Sequence, residues 1–389
     1  MVQRLLITHA QIYGLTEVWP TGWLLTEGQQ IKQLGAGQPP EFPAGFISEQ
    51  IDAGGFHLLP GFIDIHVHGG NGHELMDATP AGLQAMARFF AQHGVTSFLP
   101  TTWTATRSAI TRALTLVAEL VGPVPGGATI LGAHVEGPYL NPEKCGAQDV
   151  SLIRRAARDE ALEFLETGVV RLLALAPEYP ENHWLIEECA RRGITVSAAH
   201  TAATYAQMQN AVRLGLRHAT HSFNAMLGLN HREPGTVGAI LTLPEINCEL
   251  IADNVHVHPA VQNLLLKAKG PRGVILITDA VRAAGLPEGE YQIDTRTVRV
   301  QGGAVRLLDG QLAGSVLTME TALKNFRQAT GLSLQDAWPA TSLNAARAIG
   351  VAERKGSLAV GKDADLVLLD DAGHVRTTIA EGVAVYRAF

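Results

Sequence analysis

Cysteine is scarce in this chain. Its 389 residues hold three, Cys145, Cys189 and Cys248, far apart and without CxxC spacing. So scattered and odd a set excludes a disulfide framework and fits a reduced, cytoplasmic protein. Long hydrophobic runs are missing too. No apolar stretch approaches the roughly 20 residues of a membrane span. The opening run Leu5-Leu6-Ile7 is cut short by Thr8 and His9, which excludes a secretory signal at this end. The formal net charge is −7, and no dense Lys/Arg stripe relieves it, so a nucleic-acid surface is not expected. An anionic small molecule would have to be drawn in by local cations against that field.

What is present is apolar residue in quantity, 46% of the chain, against 17% charged. That is ample for a large core, and the length suits two or three domains or one α/β barrel with an addition. Residues 1–55 read as short strands, such as 4–8, 23–26 and 46–51, punctuated by Gly and Pro. From residue 56 apolar strands alternate with helical periodicity. The strand candidates are 61–68, 97–102, 129–136, 171–177, 195–200, 218–224, 248–256 and 274–279; helical stretches include 81–93, 105–120, 181–192, 204–214 and 259–269. Near-continuous apolar strands between helices predict a parallel sheet covered on both faces. Eight such units predict an α/β fold of the (β/α)8 TIM-barrel type. An open doubly wound sheet is the alternative, but no Gly-rich dinucleotide fingerprint follows the first strand. Strand texture returns at 290–308, helices at 318–330 and 333–349, and strands again near 365–369 and 383–386. The expected organisation is a catalytic barrel over 56–349 and a small β-sandwich domain built from both termini, 1–55 and 350–389.

The polar residues fall at the strand ends. In Phe62-Ile63-Asp64-Ile65-His66-Val67-His68 the two histidines lie two apart, so both side chains share one face of a strand. They read as one metal site, or as a hydrogen-bonded pair under a loop. Glu136 ends the third strand candidate and His200 the fifth; His221 lies late in the sixth, His256 ends the seventh and Asp279 the eighth. Each has an ordinary alternative: a satisfied polar residue, a turn anchor for Glu136, a helix cap for Asp279. A barrel gathers all these ends at one mouth, and burying so many ionisable groups together is costly unless a metal satisfies them. Imidazole and carboxylate ligands suit zinc, iron or manganese. His66, His68 and Glu136 suit one ion; Glu136, His200 and His221 suit a second. Two ions sharing Glu136 would lie about 4 Å apart and turn a water between them into a hydroxide nucleophile near neutral pH. Asp279 is placed to take that water's proton and pass it to a leaving group.

The Pro-Gly-Phe-Ile-Asp-Ile-His-Val-His entry (60–68) and the closing Gly-Ser-Leu-Ala-Val-Gly-Lys-Asp-Ala-Asp-Leu-Val-Leu (356–368) resemble the amidohydrolase superfamily. The stretches 134–141, 199–205, 220–226, 232–235, 251–257 and 312–315 resemble its N-acetylglucosamine-6-phosphate deacetylase branch over nearly the whole chain. Glu136 as metal carboxylate favours that branch over relatives that use a carboxylated lysine on strand four; 171–177 holds no lysine. The resemblance implies hydrolysis of the acetamide of an amino-sugar phosphate to acetate and free amine. It makes Glu136, His200 and His221 metal ligands, Asp279 the general acid/base, and Asn224, Ala225, His256 and Leu312 substrate contacts. The retained pair His66 and His68 favours two divalent ions. Arg232 matches an arginine that binds the phosphate in the site of a neighbouring subunit, so a homodimer is implied; the plain alternative is a loop salt bridge. One departure stands out: Gln148 occupies the place of a usual histidine near the acetyl carbonyl. A glutamine donates a neutral hydrogen bond but never becomes cationic, so the metals carry more of the oxyanion's charge, or the acyl group or sugar stereochemistry differs. Cys145 in the same loop reads as a small residue of no consequence, or as a thiolate within reach of the metals. Rival readings keep the site on another N-acyl amino sugar or a cyclic amide, or make the chain a non-catalytic scaffold.

Overall fold

A computed structural model describes residues 2–293 and 296–388. It is an α/β fold whose centre is a parallel sheet curled as a half-barrel. We number the parallel strands in chain order: β1 (Phe62–Val67), β2 (Val95–Pro100), β3 (Ala133–Glu136), β4 (Val170–Leu175), β5 (Thr195–Ala198), β6 (His218–Ala219), β7 (Asn247–Ile251) and β8 (Val274–Ile277). Strands β3 to β8 pair in sequence order as one six-stranded sheet, and β1 pairs with β2. Isolated parallel bridges, Thr101 with His134 and Val67 with Ala280, link this pair to the region of β3 and to the end of β8.

Every residue of β1, β2, β3 and β8 is buried, which explains their nearly unbroken apolar sequence. The intervening helices begin at readable signals. Thr79 caps Pro80–Gln92, with proline at its first position; Thr106 caps Arg107–Leu120; Thr204 and Gln207 form a reciprocal capping box on Tyr205–Leu214. Leu83, Met86, Ala87 and Phe90 form the buried stripe of the first of these helices.

Both termini build one further sheet. Its strands run in the order Val383–Arg387, Val375–Ala380, Leu366–Leu369, His57–Pro60, Leu5–Tyr13, Val18–Glu27 and Gln30–Ala36, with Glu49–Asp52 also paired to Leu5–Tyr13. Hydrogen bonding connects all eight strands in one sheet. Gly61 joins it to β1: a Cβ there would lie 2.2 Å from the Thr96 side chain, so only glycine lets the chain cross so close. The texture at 290–308 resolves into a four-stranded antiparallel sheet, Gly289–Ile293, Arg296–Gln301, Ala304–Leu307 and Leu312–Ser315, inserted after β8. No helix among the described residues is long and apolar enough to cross a membrane.

Several strands stop earlier than their apolar runs suggest. The sixth ends at Ala219, where the sequence reads to 224, and the eighth at Ile277. His200, His221, Phe223, Ala225 and Asp279 all have positive φ, between 30° and 75°. A left-handed residue cannot continue the ladder, so the chain turns out of the sheet at the polar residues themselves. The expected helix over 333–349 is also broken, into Leu334–Ala337, a 3-10 turn Trp338–Thr341 and Leu343–Ala348. Pro339 lacks the N–H that would continue it.

Candidate metal centre

Strand β1 delivers His66 and His68, both buried, to one face. Their Nε2 atoms lie 3.3 Å apart. Glu136, the last residue of β3, enters from the side: its Oε2 is 3.3 Å from His68 Nε2 and its Oε1 is 3.7 Å from His66 Nε2. The same Oε1 lies 3.3 Å from His200 Nε2 and 3.0 Å from His221 Nε2, and those two nitrogens are 3.1 Å apart. Asp279 Oδ1 completes the group, 3.3 Å from His68 Nε2 and 3.5 Å from His66 Nε2. The five expected ligands and Asp279 therefore converge.

The ring orientations are set from outside. His200 Nδ1 donates to the Lys144 carbonyl at 2.8 Å, and His66 Nδ1 donates to Glu249 Oε2 at 2.9 Å. With Nδ1 protonated, the Nε2 of each neutral ring carries a lone pair and faces the cluster. The His68 ring stacks on Trp103, with centroids 3.7 Å apart and planes 10° apart.

This donor set fits a divalent metal. Two imidazole nitrogens bound at ~2.0–2.1 Å to one tetrahedral ion lie about 3.3 Å apart, near the observed separations of 3.3 Å and 3.1 Å. Without a cation, facing lone pairs at that range repel. The groups His66–His68–Glu136 and Glu136–His200–His221 each bring their ligand atoms within 4.8 Å of one another. Buried charge points the same way. Burial opposes ionisation of Glu136, yet the His66 charge and hydrogen bonds from His200 and His221 hold its carboxyl well below the usual range. Burial likewise opposes ionisation of Asp279, and His66 and His68 outweigh it, leaving a lowered pKa. For His66 burial favours the neutral ring, but Asp279, Glu136 and Glu249 push its pKa well above the ordinary value. Three carboxylates here demand positive charge, which protons or a metal can supply.

The centre opens into a cavity of about 450 Å³. Gln148, Asn224, Ala225, His256 and Leu312 all line it. Gln148 differs in detail from its expected part. Its Nε2 donates to Glu136 Oε2 at 2.7 Å while its Oε1 accepts from Thr104 N at 2.7 Å, so the amide already grips the central carboxylate. His256 is fixed by Asp253, Nδ1 to Oδ2 at 2.6 Å. Cys145 is half-buried and free. Arg232 does not line this cavity: it is exposed and donates to His231 Nε2 at 3.0 Å. Sequence reasoning missed three residues. Arg306, on the inserted sheet, lines the cavity, as does Trp103. Glu249 lies fully buried beneath His66. A glutamate inside the apolar run Cys248-Glu249-Leu250-Ile251 was the one signal on the page for it.

The model of the amidohydrolase family matches residues 57–385. The N-acetylglucosamine-6-phosphate deacetylase of Bacillus subtilis (strain 168) is 38% identical over 387 residues, covering 98% of this chain and 97% of that protein. The N-acetylgalactosamine-6-phosphate deacetylase of Escherichia coli O157:H7 is 40% identical over 327 residues, 84% of this chain and 86% of its own. Among solved structures, a mutant N-acetyl-D-glucosamine-6-phosphate deacetylase from Mycobacterium smegmatis, in complex with N-acetyl-D-glucosamine-6-phosphate, superposes with a TM-score of 0.91 at 31% identity, covering 98% of this chain and 99% of that one.

Proposed function

The chain belongs to the amidohydrolase family, and we propose that it is a metal-dependent enzyme that hydrolyses N-acetylglucosamine-6-phosphate to glucosamine-6-phosphate and acetate. The observation that carries this reading is the convergence of His66, His68, Glu136, His200, His221 and Asp279, all but His66 lining one cavity, in a chain 37–40% identical to amino-sugar-phosphate deacetylases. We read the eight parallel strands, with their linking bridges, as a closed (β/α)8 barrel over 56–349, and 1–55 with 350–389 as a two-layered β domain.

Glu136, His200 and His221 would hold one divalent ion, and His66, His68 and Glu136 a second; zinc, iron and manganese all suit these donors. A divalent metal there supplies Lewis-acid polarisation of the acetyl carbonyl and brings the pKa of a water toward about 7. The chain's own residues do the rest. Asp279, held ionised by its neighbours, accepts a proton from the water as its oxygen bonds to the acetyl carbon. The C–N bond then breaks, and Asp279 returns that proton to the departing nitrogen, leaving acetate and the free amine. Gln148 fixes Glu136, and its side chain faces the cavity beside the acyl group. Asn224, Ala225, His256 and Leu312 position the sugar phosphate. Arg232 serves the site of a second copy of the chain, so the working unit is a cytoplasmic homodimer; its exposure and its absence from the lining of its own cavity support that.

The 40% identity to an N-acetylgalactosamine-6-phosphate deacetylase supports a second reading, in which the 4-hydroxyl epimer is the substrate. Initial rates on both phosphorylated epimers and on unphosphorylated N-acetylglucosamine decide. We expect kcat/KM highest for N-acetylglucosamine-6-phosphate. A preference for the galactose epimer replaces the substrate; equal rates without phosphate sink the phosphate-binding role.

A further inference from the structure

We infer that Glu249 is a positioning residue for the metal centre: one buried carboxylate that fixes the tautomer of His66 and the backbone of His221 together. This rests on the metal-site reading above. Glu249, in β7, has no exposure, and its two oxygens accept three hydrogen bonds. Oε2 takes His66 Nδ1 at 2.9 Å and the His221 backbone N–H at 3.1 Å; Oε1 takes His218 Nε2 at 3.0 Å. Strands β1, β6 and β7 thus meet at one side chain.

The consequence is geometric. An ionised carboxylate only accepts, so its contact with His66 requires the proton on Nδ1. In the neutral ring that a metal ligand must be, the His66 Nε2 lone pair is then the free one, and Nε2 lies 3.3 Å from His68 Nε2 and 3.7 Å from Glu136 Oε1. Glu249 Oε2 also anchors the amide of His221, a residue held at φ 30°, where a side chain with a Cβ is strained and needs its surroundings to keep it. Metal-bound histidines commonly have such a carboxylate behind them, and losing it typically costs 10–100-fold in metal affinity. Glu249 does not itself line the cavity, so it acts through the two histidines. His218, its third partner, is buried and does not line the cavity; it serves to hold the carboxylate.

The test is zinc affinity, measured by competition with a chromophoric chelator on metal-free, refilled protein. Wild type that binds no zinc would overturn the metal centre itself, a result separate from this inference. With wild type binding, Glu249→Gln is expected to bind zinc 10–100-fold more weakly, because a glutamine cannot accept from all three donors. A merely structural Glu249 would lower the melting temperature and leave the affinity of the folded protein unchanged. Should Glu249→Gln not fold, the double variant Glu249→Leu/His218→Leu removes the buried charge together with its His218 partner and takes the same measurement. Affinity within twofold of wild type in either folded variant overturns the inference. Nitrogen-15 NMR of zinc-loaded wild type gives an independent reading: His66 should carry its proton on Nδ1 and the metal on Nε2, and the reverse arrangement overturns it.

Discussion

Asp279 is the residue on which the chemistry turns. It follows β8 by two positions, has φ 49°, and lies within 3.5 Å of both β1 histidines. Replacing it with asparagine keeps the shape and removes the proton acceptor. We expect Asp279→Asn to lower kcat by roughly 10²–10⁴-fold, while metal content by plasma spectrometry stays at the wild-type level. Loss of the metal along with the activity would make Asp279 a ligand and not the base. At this scale the sequence spoke clearly for His66 and His68, because a strand's period of two puts them together without any knowledge of the fold. It was nearly silent on Glu249 and Trp103. One touches the site from beneath and the other through a stacked ring, and neither relation has a sequence spacing.

The loops after the strands carry the next layer. The segment between Pro142–Lys144 and Val150–Leu152 brings Gln148 onto Glu136 and the Lys144 carbonyl onto His200. Gly146 makes that approach possible: its φ is 57°, and a Cβ there would lie 2.9 Å from His200 Cε1. Gly146→Ala combines an unfavourable backbone with pressure on a ligand ring. It should destabilise the fold by about 1 kcal/mol or more and weaken zinc binding in the same chelator competition; unchanged affinity would mean the loop moves aside freely. Helix starts were legible to within two residues, read as 81, 105 and 204 and found at Pro80, Arg107 and Tyr205, because helical periodicity is local. Strand ends were not. Left-handed turns at His200, His221 and Asp279 are held by neighbours that lie far away in sequence, so an apolar run alone extends the strand too far.

Across the whole molecule, the C-terminal segment is held together by a buried lysine. Lys355 Nζ lies 2.6 Å from Asp365, 3.0 Å from Asp363 and 3.2 Å from Glu381, and its side chain is wholly buried. Removing the charge strands three carboxylates, and breaking a buried pair this way costs roughly 3–5 kcal/mol. Lys355→Met should lose about that much in denaturant unfolding at pH 7. Burial pulls the Lys355 pKa down, but Asp365, Asp363 and Glu381 more than reverse this, so it lies above its ordinary 10.5. A lysine raised in the folded state contributes stability that is complete below pH 10.5 and fades as pH climbs through the higher folded value. The difference between wild type and Lys355→Met should therefore shrink only above pH 10.5; a difference that shrinks nearer neutrality would contradict the assignment. The proposed sharing of Arg232 between two copies of the chain belongs to this scale too. Asp279→Asn and Arg232→Ala should each be nearly inactive alone. After subunit exchange, mixed dimers should regain one complete site, up to about a quarter of wild-type activity for random 1:1 mixing of two-site dimers. No recovery after confirmed exchange counts against sharing.

The sequence by itself determined the alternation of apolar strands and helices, the family, and the seven ionisable residues at strand ends. Periodicity, caps and motifs are written within short windows, and burial reads them directly. Tertiary structure alone decided that Glu136 sits between two histidine pairs, that Gln148 grips that carboxylate, that Arg306 borders the cavity and that Arg232 does not. Those relations depend on distances between segments scores of residues apart, and only the curvature of the sheet and the turns leaving it set them.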